Sequence, residues 1–403
     1  MIYKDDEFSV IYENFAALMA LLSGVNIEAG YDFNLFRISE KDVMGYITYI
    51  KPGTPAENAG LRRGDYFLTI NNEEMTMDNI NRLYQEMFKP HRLGIANIEE
   101  NKITGITNVP LSVAVYEENP ILLDTVYQDI QGKNIGYFVY NFFARDSELY
   151  GIGYEKELND LFGKFIDEGI DELIIDLRYN GGGQTITAKA LASMISGKGS
   201  TDILGYDEYN TLLTSLLPKD YGVNYFLDHI VRSQGDRILE VVPINKLSGL
   251  TRVYMIVSHQ SASASELLIN CLRPYMDVFL IGETTRGKNV GSWLIDDEDD
   301  PYNDWGMLPI VFKISNSKGY SDYADGLEPD SKEMHEFFDL EDLYMKQLGD
   351  TEELLLAETL DMIFGKQTLR RQNTGVKHEI IGSSGDRFPV RNNMYITPLH
   401  KLK

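Results

Sequence analysis

Three stretches decide the fold of this chain: Asp176-Leu177-Arg178-Tyr179-Asn180-Gly181-Gly182-Gly183, then Ser261-Ala262-Ser263-Ala264-Ser265-Glu266, then Gly282-Glu283-Thr284-Thr285-Arg286-Gly287-Lys288. Each follows a short apolar run of strand character: Glu172 to Leu177, Val253 to Val257 and Val278 to Gly282. Helical patterns follow the first two, over Thr185 to Ile195 and Ala264 to Leu272. Upstream, Ile135 to Asn141 reads as a further strand and Glu155 to Glu168 as a helix. Strands alternating with helices predict βαβ units around a largely parallel sheet. In such sheets, the loops past the strand ends line the binding crevice. The three stretches are those loops.

Their residue types carry chemistry. Ser263 opens a helix, and Ser-x-x-Glu to Glu266 is a capping box, so on its own it reads as a helix cap. A serine there also sits beside unpaired backbone N–H groups, which can hold a developing oxyanion. Capping and nucleophilic attack are compatible. Lys288, read alone, is a solvated lysine. To act as a base it must be neutral, and deprotonating a free lysine at pH 7 costs roughly 4.6 kcal/mol. A buried pocket supplies that by disfavouring the ammonium, and the apolar flanks Val278 to Ile281 and Val290 to Ile295 suit such a pocket. The glycine triplet reads either as a turn or as a close backbone approach to a substrate. His259 near Ser263 leaves a histidine base open, although no Gly-x-Ser-x-Gly elbow surrounds the serine.

Ahead of these loops lies a different texture. Val43 to Ile50 and Tyr66 to Ile70 read as strands, Ala56 to Gly60 as a short helix and Met77 to Phe88 as a longer one. Segments near Arg92–Ile98, Lys102–Ile106 and Leu111–Tyr116 complete a small sheet in an α+β module. Before it, Phe8, Ile11, Phe15, Leu18 and Leu22 recur at helical spacing, which predicts a packed amphipathic helix.

Taken together, Asp-Leu-Arg-x-Asn-Gly-Gly-Gly, Ser-Ala-Ser-Ala-Ser-Glu and Gly-Glu-x-x-x-Gly-Lys closely resemble the C-terminal processing (tail-specific) peptidases. That family joins a PDZ domain to a protease core related to the crotonase and Clp-type αβ folds. The resemblance implies a Ser/Lys dyad, with Ser263 as nucleophile and Lys288, twenty-five residues on, as base. It also implies an oxyanion hole from the backbone N–H groups of Gly182 and Ala264, with Glu266 in support. Where many relatives carry a glutamine four residues past the lysine, this chain has Ser292, which implies a shorter reach for orienting the amine. Pro52-Gly53-Thr54-Pro55-Ala56 through Ala59-Gly60-Leu61 to Gly64-Asp65 resembles the family's PDZ signature. PDZ domains capture free carboxyl termini by strand addition. The peptide is expected beside Tyr31, Asp32 and Phe33, where Asp32 departs from the usual glycine-rich carboxylate loop. The implied partners are protein or peptide substrates with free C-termini. The competing reading is a non-catalytic or weakly active peptide-binding protein of the same fold.

Composition sets the outer limits. The chain has 403 residues, 43% hydrophobic and 25% charged, which fits a multidomain globular protein. Its net charge of −25 repels phosphate backbones and argues against nucleic-acid binding. A single cysteine, Cys271, gives neither a disulfide framework nor a cysteine-rich metal site, and the motifs themselves imply no metal or organic cofactor. No apolar run reaches transmembrane length, and Asp5, Asp6 and Glu7 are unlike a signal-peptide start. The resemblance implies a periplasmic or cell-envelope location, with a cytoplasmic one left open, and the oligomeric state is not legible. The expected segmentation is an N-terminal helical segment (1–29), a PDZ-like domain (30–118), a protease core (119–365) and a basic tail (366–403). The acidic run Asp296-Asp297-Glu298-Asp299-Asp300 reads as a solvated hairpin tip.

Overall fold

The structure, a computed structural model, describes residues 6–234, 237–296, 300, 302–336, 343–366, 379–387 and 393–397. Most of the acidic run and most of the basic tail lie outside the described residues. Contacts divide the chain into two compact units. One is 25–118 with 334–389, and the other is 1–24, 119–333 and 390–403. The fold mixes helices and strands throughout, as the alternating pattern predicts. The tail beyond 366 is not a region apart: residues 379–387 fall in the first unit and 393–397 in the second.

The first unit is built on an antiparallel sheet that runs Ile380–Ser383, Tyr31–Arg37, Val43–Ile50, Tyr66–Ile70, His91–Glu99, Lys102–Leu111. Inward-facing residues of these strands, Phe33, Leu35, Ile47, Phe67, Ile70 and Leu93, form one buried cluster with Leu83, with a register shift between Phe67 and Thr69 interrupting the alternation. Gly45 leaves room for the Phe67 ring, which lies where a side chain would otherwise stand. A short helix Pro55–Asn58 starts on a proline at its first turn, and Gly60, at φ +80°, ends it. The second helix is Ile80–Glu86, shorter than the Met77 to Phe88 pattern. Asn79 Oδ1 accepts from the N–H of Thr76 at 2.8 Å and holds that entry as a turn. Ala114–Glu117 does not extend the main sheet as expected; it pairs with Val25–Glu28.

The second unit centres on five strands in the order Ile121–Ile130, Lys133–Tyr140, Glu172–Asp176, Arg252–Val257, Asp277–Gly282. The first pair is antiparallel and the rest are parallel. Phe138, Leu173, Ile175, Met255 and Leu280 are fully buried in one cluster with Leu158, Leu191 and Leu268 of the three helices Tyr154–Asp167, Thr185–Ser196 and Ala264–Leu272. Each such side chain contributes roughly 1.5–3 kcal/mol relative to exposure. A second sheet runs Val223–Tyr225, Ile203–Tyr209, Ile310–Asn316, Val290–Trp293, Tyr395–Ile396.

The opening amphipathic helix is corrected. Val10–Tyr12 is a strand paired with Gly306–Leu308, and the helix is only Phe15–Leu22. Asn14 starts it by accepting from the Ala17 N–H at 2.8 Å. Ile11, which fitted the helical spacing, is 55% exposed, whereas Leu18, Leu21 and Leu22 are buried.

Candidate active site

Because Glu172–Asp176, Arg252–Val257 and Asp277–Gly282 are adjacent parallel strands, their three following loops meet at one edge of the sheet. Asn180 ties the first loop to the second. Its Nδ2 donates to Tyr140 O at 2.8 Å, while its carbonyl oxygen accepts from Ala262 N at 3.1 Å and from Ser265 Oγ at 3.0 Å. Arg178 and Asp176 form a buried pair at 2.7 Å, with Tyr137 OH donating to the same carboxylate oxygen at 2.9 Å. The loops are therefore held by a satisfied polar network under the site.

The three serines of the second loop differ in what their hydroxyls do. Ser261 Oγ donates to Leu177 O at 2.7 Å, and Ser265 Oγ donates to Asn180 O. Ser263 is 0% exposed, and its Oγ makes no hydrogen bond among the described residues. Ser263 and Glu266 do stand in the capping-box arrangement, but only the Glu266 half is a hydrogen bond, accepting from Ser263 N at 2.8 Å. Ser263 also has φ +64° with ψ −108°, a sparsely populated backbone conformation that costs a non-glycine residue roughly 1–3 kcal/mol. A buried, unpartnered hydroxyl on a strained corner at a helix start suits a nucleophile and wastes a cap.

Glu266 joins this corner to the third loop. One carboxylate oxygen accepts from Thr285 Oγ1 at 2.5 Å and Gly287 N at 2.6 Å; the other accepts from Ser263 N and Lys288 N, each at 2.8 Å. The backbone nitrogens of Ser263 and Lys288 therefore lie within twice that distance of each other. Burial pushes the Glu266 carboxyl up, opposed by these hydrogen bonds from Thr285, Ser263, Gly287 and Lys288.

Lys288 is 1% exposed. Burial first, then the Arg286 guanidinium, push its amine down to about 7, against the opposing pull of Glu266 and Asp6. Its Nζ donates to Asn393 Oδ1 and lies 4.4 Å from the centre of the Phe8 ring. Ser292, expected to orient the amine, is buried in the strand Val290–Trp293, and its Oγ has no hydrogen-bond partner among the described residues. Asn393 stands in that role instead. The parallel pairing of Ser292 with Tyr395 brings it there, and sequence spacing carried no sign of it.

Gly182 meets the serine corner from the other side. At φ +120°, a Cβ on it would come 2.8 Å from Ser263 Cβ and 3.1 Å from Ala264 N. Its own N–H donates to Asn180 Oδ1 at 2.9 Å, so that donor is engaged within its loop. Ala264 is the first residue of its helix, and its N–H has no intrahelical acceptor. His259 does not bond Ser263: its Nδ1 lies 2.7 Å from Glu283 Oε2, and its ring is 48% exposed. A cavity of about 750 Å³ lies beside Lys288, lined by Phe8, His259, Thr285, Arg286, Val290 and Ile310 among others. Among the described residues no group of His, Cys, Asp and Glu is placed to hold a metal ion. No helix among them is long and apolar enough to cross a membrane.

In the first unit, Tyr31 and Phe33 are buried, and Asp32 is engaged with Lys51 at 3.2 Å. The sheet edge expected to take a peptide, Tyr31–Arg37, is paired with the chain's own Ile380–Ser383.

Known proteins share this organisation. Residues 134–332 match the model of peptidase family S41, and residues 46–89 match that of the PDZ domain. The chain is 26% identical to the carboxy-terminal processing protease CtpA of Bacillus subtilis over 65% of this chain and 48% of that protein. It is 22% identical to a chloroplastic C-terminal processing peptidase of Tetradesmus obliquus, over 77% of this chain and 60% of that one. It thus spans about half the length of the curated relatives it matches. A crystal structure of a putative S41 protease from Bacteroides fragilis superposes with a TM-score of 0.67 at 25% identity, covering 90% of this chain and 87% of that one. With the peptidase model spanning the three loops and the PDZ model lying ahead of them, the chain belongs to peptidase family S41.

Proposed function

We propose that this chain is a serine endopeptidase that cuts protein substrates near their carboxyl termini, with Ser263 as nucleophile and Lys288 as general base. One observation carries the reading: a single Glu266 oxygen holds the backbones of Ser263 and Lys288 together, while burial destabilises the lysine's ammonium form. Neutral Lys288 takes the Oγ proton as Ser263 attacks the scissile carbonyl. Negative charge then develops at the helix start, facing the Ala264 N–H. Gly182 becomes the second donor once its N–H turns from Asn180 Oδ1 to the oxyanion. The protonated lysine hands its proton to the leaving amine, and the amine departs. Water, deprotonated by Lys288, hydrolyses the resulting ester. The PDZ-like unit serves as the docking place for the substrate chain.

Ser263 and Lys288 are both fully buried, so substrate reaches them only when the site opens. This observation also favours the second reading, a weakly active peptide-binding protein of the same fold. Incubation of an unstructured test protein with wild type, Ser263→Ala and Ser261→Ala separates the two. Cleavage by wild type and Ser261→Ala, with none by Ser263→Ala, supports the peptidase. Absence of cleavage by all three supports the binding protein.

A further inference from the structure

The peptide edge of the PDZ-like unit already holds a segment of this chain. Ile380–Ser383 adds antiparallel to Tyr31–Arg37, with Ile380 opposite Phe36, Gly382 opposite Leu35 and Ser383 opposite Asn34. Beyond the paired stretch, Arg37 N donates to Glu379 O at 3.0 Å. The added strand runs toward Gly30 and the start of the strand Tyr31–Arg37, the end at which a PDZ domain takes a terminal carboxylate. There the Phe33 N–H donates to Ser384 Oγ at 3.2 Å, so a hydroxyl oxygen stands where a carboxylate oxygen would.

The opposite wall grips the segment as well. Tyr84 OH, on the helix Ile80–Glu86, donates to Ser383 O at 2.9 Å. Ile381 packs on the unit's apolar core. The Arg387 guanidinium lies 4.0 Å from the centre of the Phe88 ring, and Asp386 accepts from Ser383 N at 2.6 Å, closing the turn that leads the chain away. Strand, helix and loop each hold it.

The head of the groove is negative. Lys51, 2% exposed, is the ammonium there, and three carboxylates surround it: Glu28 at 2.9 Å, Glu118 at 3.1 Å and Asp32 at 3.2 Å. Burial resists ionisation of Asp32, but Lys51 and hydrogen bonds from Ser384 and Tyr49 overcome it and keep the carboxyl below its usual range. A charge set of this kind accepts a hydroxyl donor and repels a terminal carboxylate.

Building on the docking role given to this unit, we propose that residues 379–387 are the resident ligand of the PDZ groove. An incoming chain binds there only by displacing them, and a strand that continues through a serine binds better than one ending in a free carboxylate. A tethered segment acts at a millimolar local concentration, so it masks the groove from ligands in solution.

The test is binding, independent of cleavage, on the full chain carrying Ser263→Ala. A fluorescent peptide with the sequence of residues 379–387, amidated at its end, is titrated into this protein and into the same protein with Ile381→Asp. The added change ejects the resident segment and should tighten binding at least about tenfold. Ser384→Ala, which removes the hydroxyl's contacts with the Phe33 N–H and the Asp32 carboxyl, should move affinity the same way by a smaller factor if Ile381→Asp fails to fold. Hydrogen exchange at 380–384 should be slow in the parent and accelerate when peptide is added. A peptide stopped at Ser384 with a free carboxylate should bind more weakly than the continuous one. Equal affinity in parent and displaced variants, or exchange at 380–384 unmoved by saturating peptide, overturns self-occupation. Tighter binding of the free-carboxylate peptide overturns the assigned preference. None of these readouts depends on Ser263, so failure of the peptidase reading is scored separately.

Discussion

If Lys288 is the base, the pH dependence of cleavage follows its amine and not a free lysine. Its ordinary value is 10.5, and burial with Arg286 brings it to about 7. That difference corresponds to roughly 5 kcal/mol against the charged form, which for a fully buried group carries no discount for solvent screening. With half the amine neutral near pH 7, kcat/KM for an internally quenched peptide should rise about tenfold per pH unit below that point and level off above it. Arg286→Ala removes a positive neighbour that disfavours the ammonium, so the midpoint should move to higher pH. Lys288→Arg cannot become neutral and should lose roughly 10²–10⁴ in kcat/KM at every pH. The same group has a stability signature with a definite sign. The folded state binds the lysine proton less readily than the unfolded state, so between about 7 and 10.5 the unfolded chain holds more protons and stability rises with pH. Lys288→Met abolishes that slope and should be relatively most favourable below pH 7, where wild type bears the whole penalty. Denaturant melts at pH 6, 8 and 10 check it. A rate profile with its midpoint near 6.5 that disappears in His259→Ala would refute the lysine base.

Two further substitutions probe the frame that holds this pair. Glu266→Gln must turn its NH2 toward two donors whichever way the amide is placed, because Thr285 and Gly287 share one oxygen and Ser263 and Lys288 the other. It should cost roughly 2–4 kcal/mol of stability by urea unfolding; a neutral result refutes the bridging role. Gly182→Ala places a Cβ 2.8 Å from Ser263 Cβ at φ +120°, so cleavage should be lost while the far-UV circular dichroism of the protein is kept. Wild-type activity in that variant removes Gly182 from the site.

The sheet and its three loops were legible because each apolar run ends in residues that break strands. The helix read from Ala264 to Leu272 has those bounds in the structure. What sequence left unsorted were the three alternating serines, since nothing local distinguishes them. Only tertiary partners show that the Ser261 and Ser265 hydroxyls are spent and that of Ser263 is not. The position four past Lys288 was expected to orient the amine from the resemblance alone, and the short serine side chain there, in the strand Val290–Trp293, finds no hydrogen-bond partner among the described residues. Asn393 lies over a hundred residues away, and a two-residue strand brings it to the lysine, too short to leave a hydrophobic period.

The resident segment was hidden for the same reason, in stronger form. Strand addition draws its affinity from main-chain hydrogen bonds, which any sequence without proline can supply. In Glu379–Arg387 only Ile380 and Ile381 are apolar, and the rest is glycine, serine and charge. Such a stretch reads as a loop until an edge is offered to it. Asp32 was visible as a departure from the carboxylate loop, and the structure gives the departure a physical use. With Glu28 and Glu118 on the same lysine, it turns the head of the groove from an anion site into a hydroxyl site. The residue that argued against a bound C-terminus is thus the one that Ser384 meets, and the groove's own chain satisfies it first.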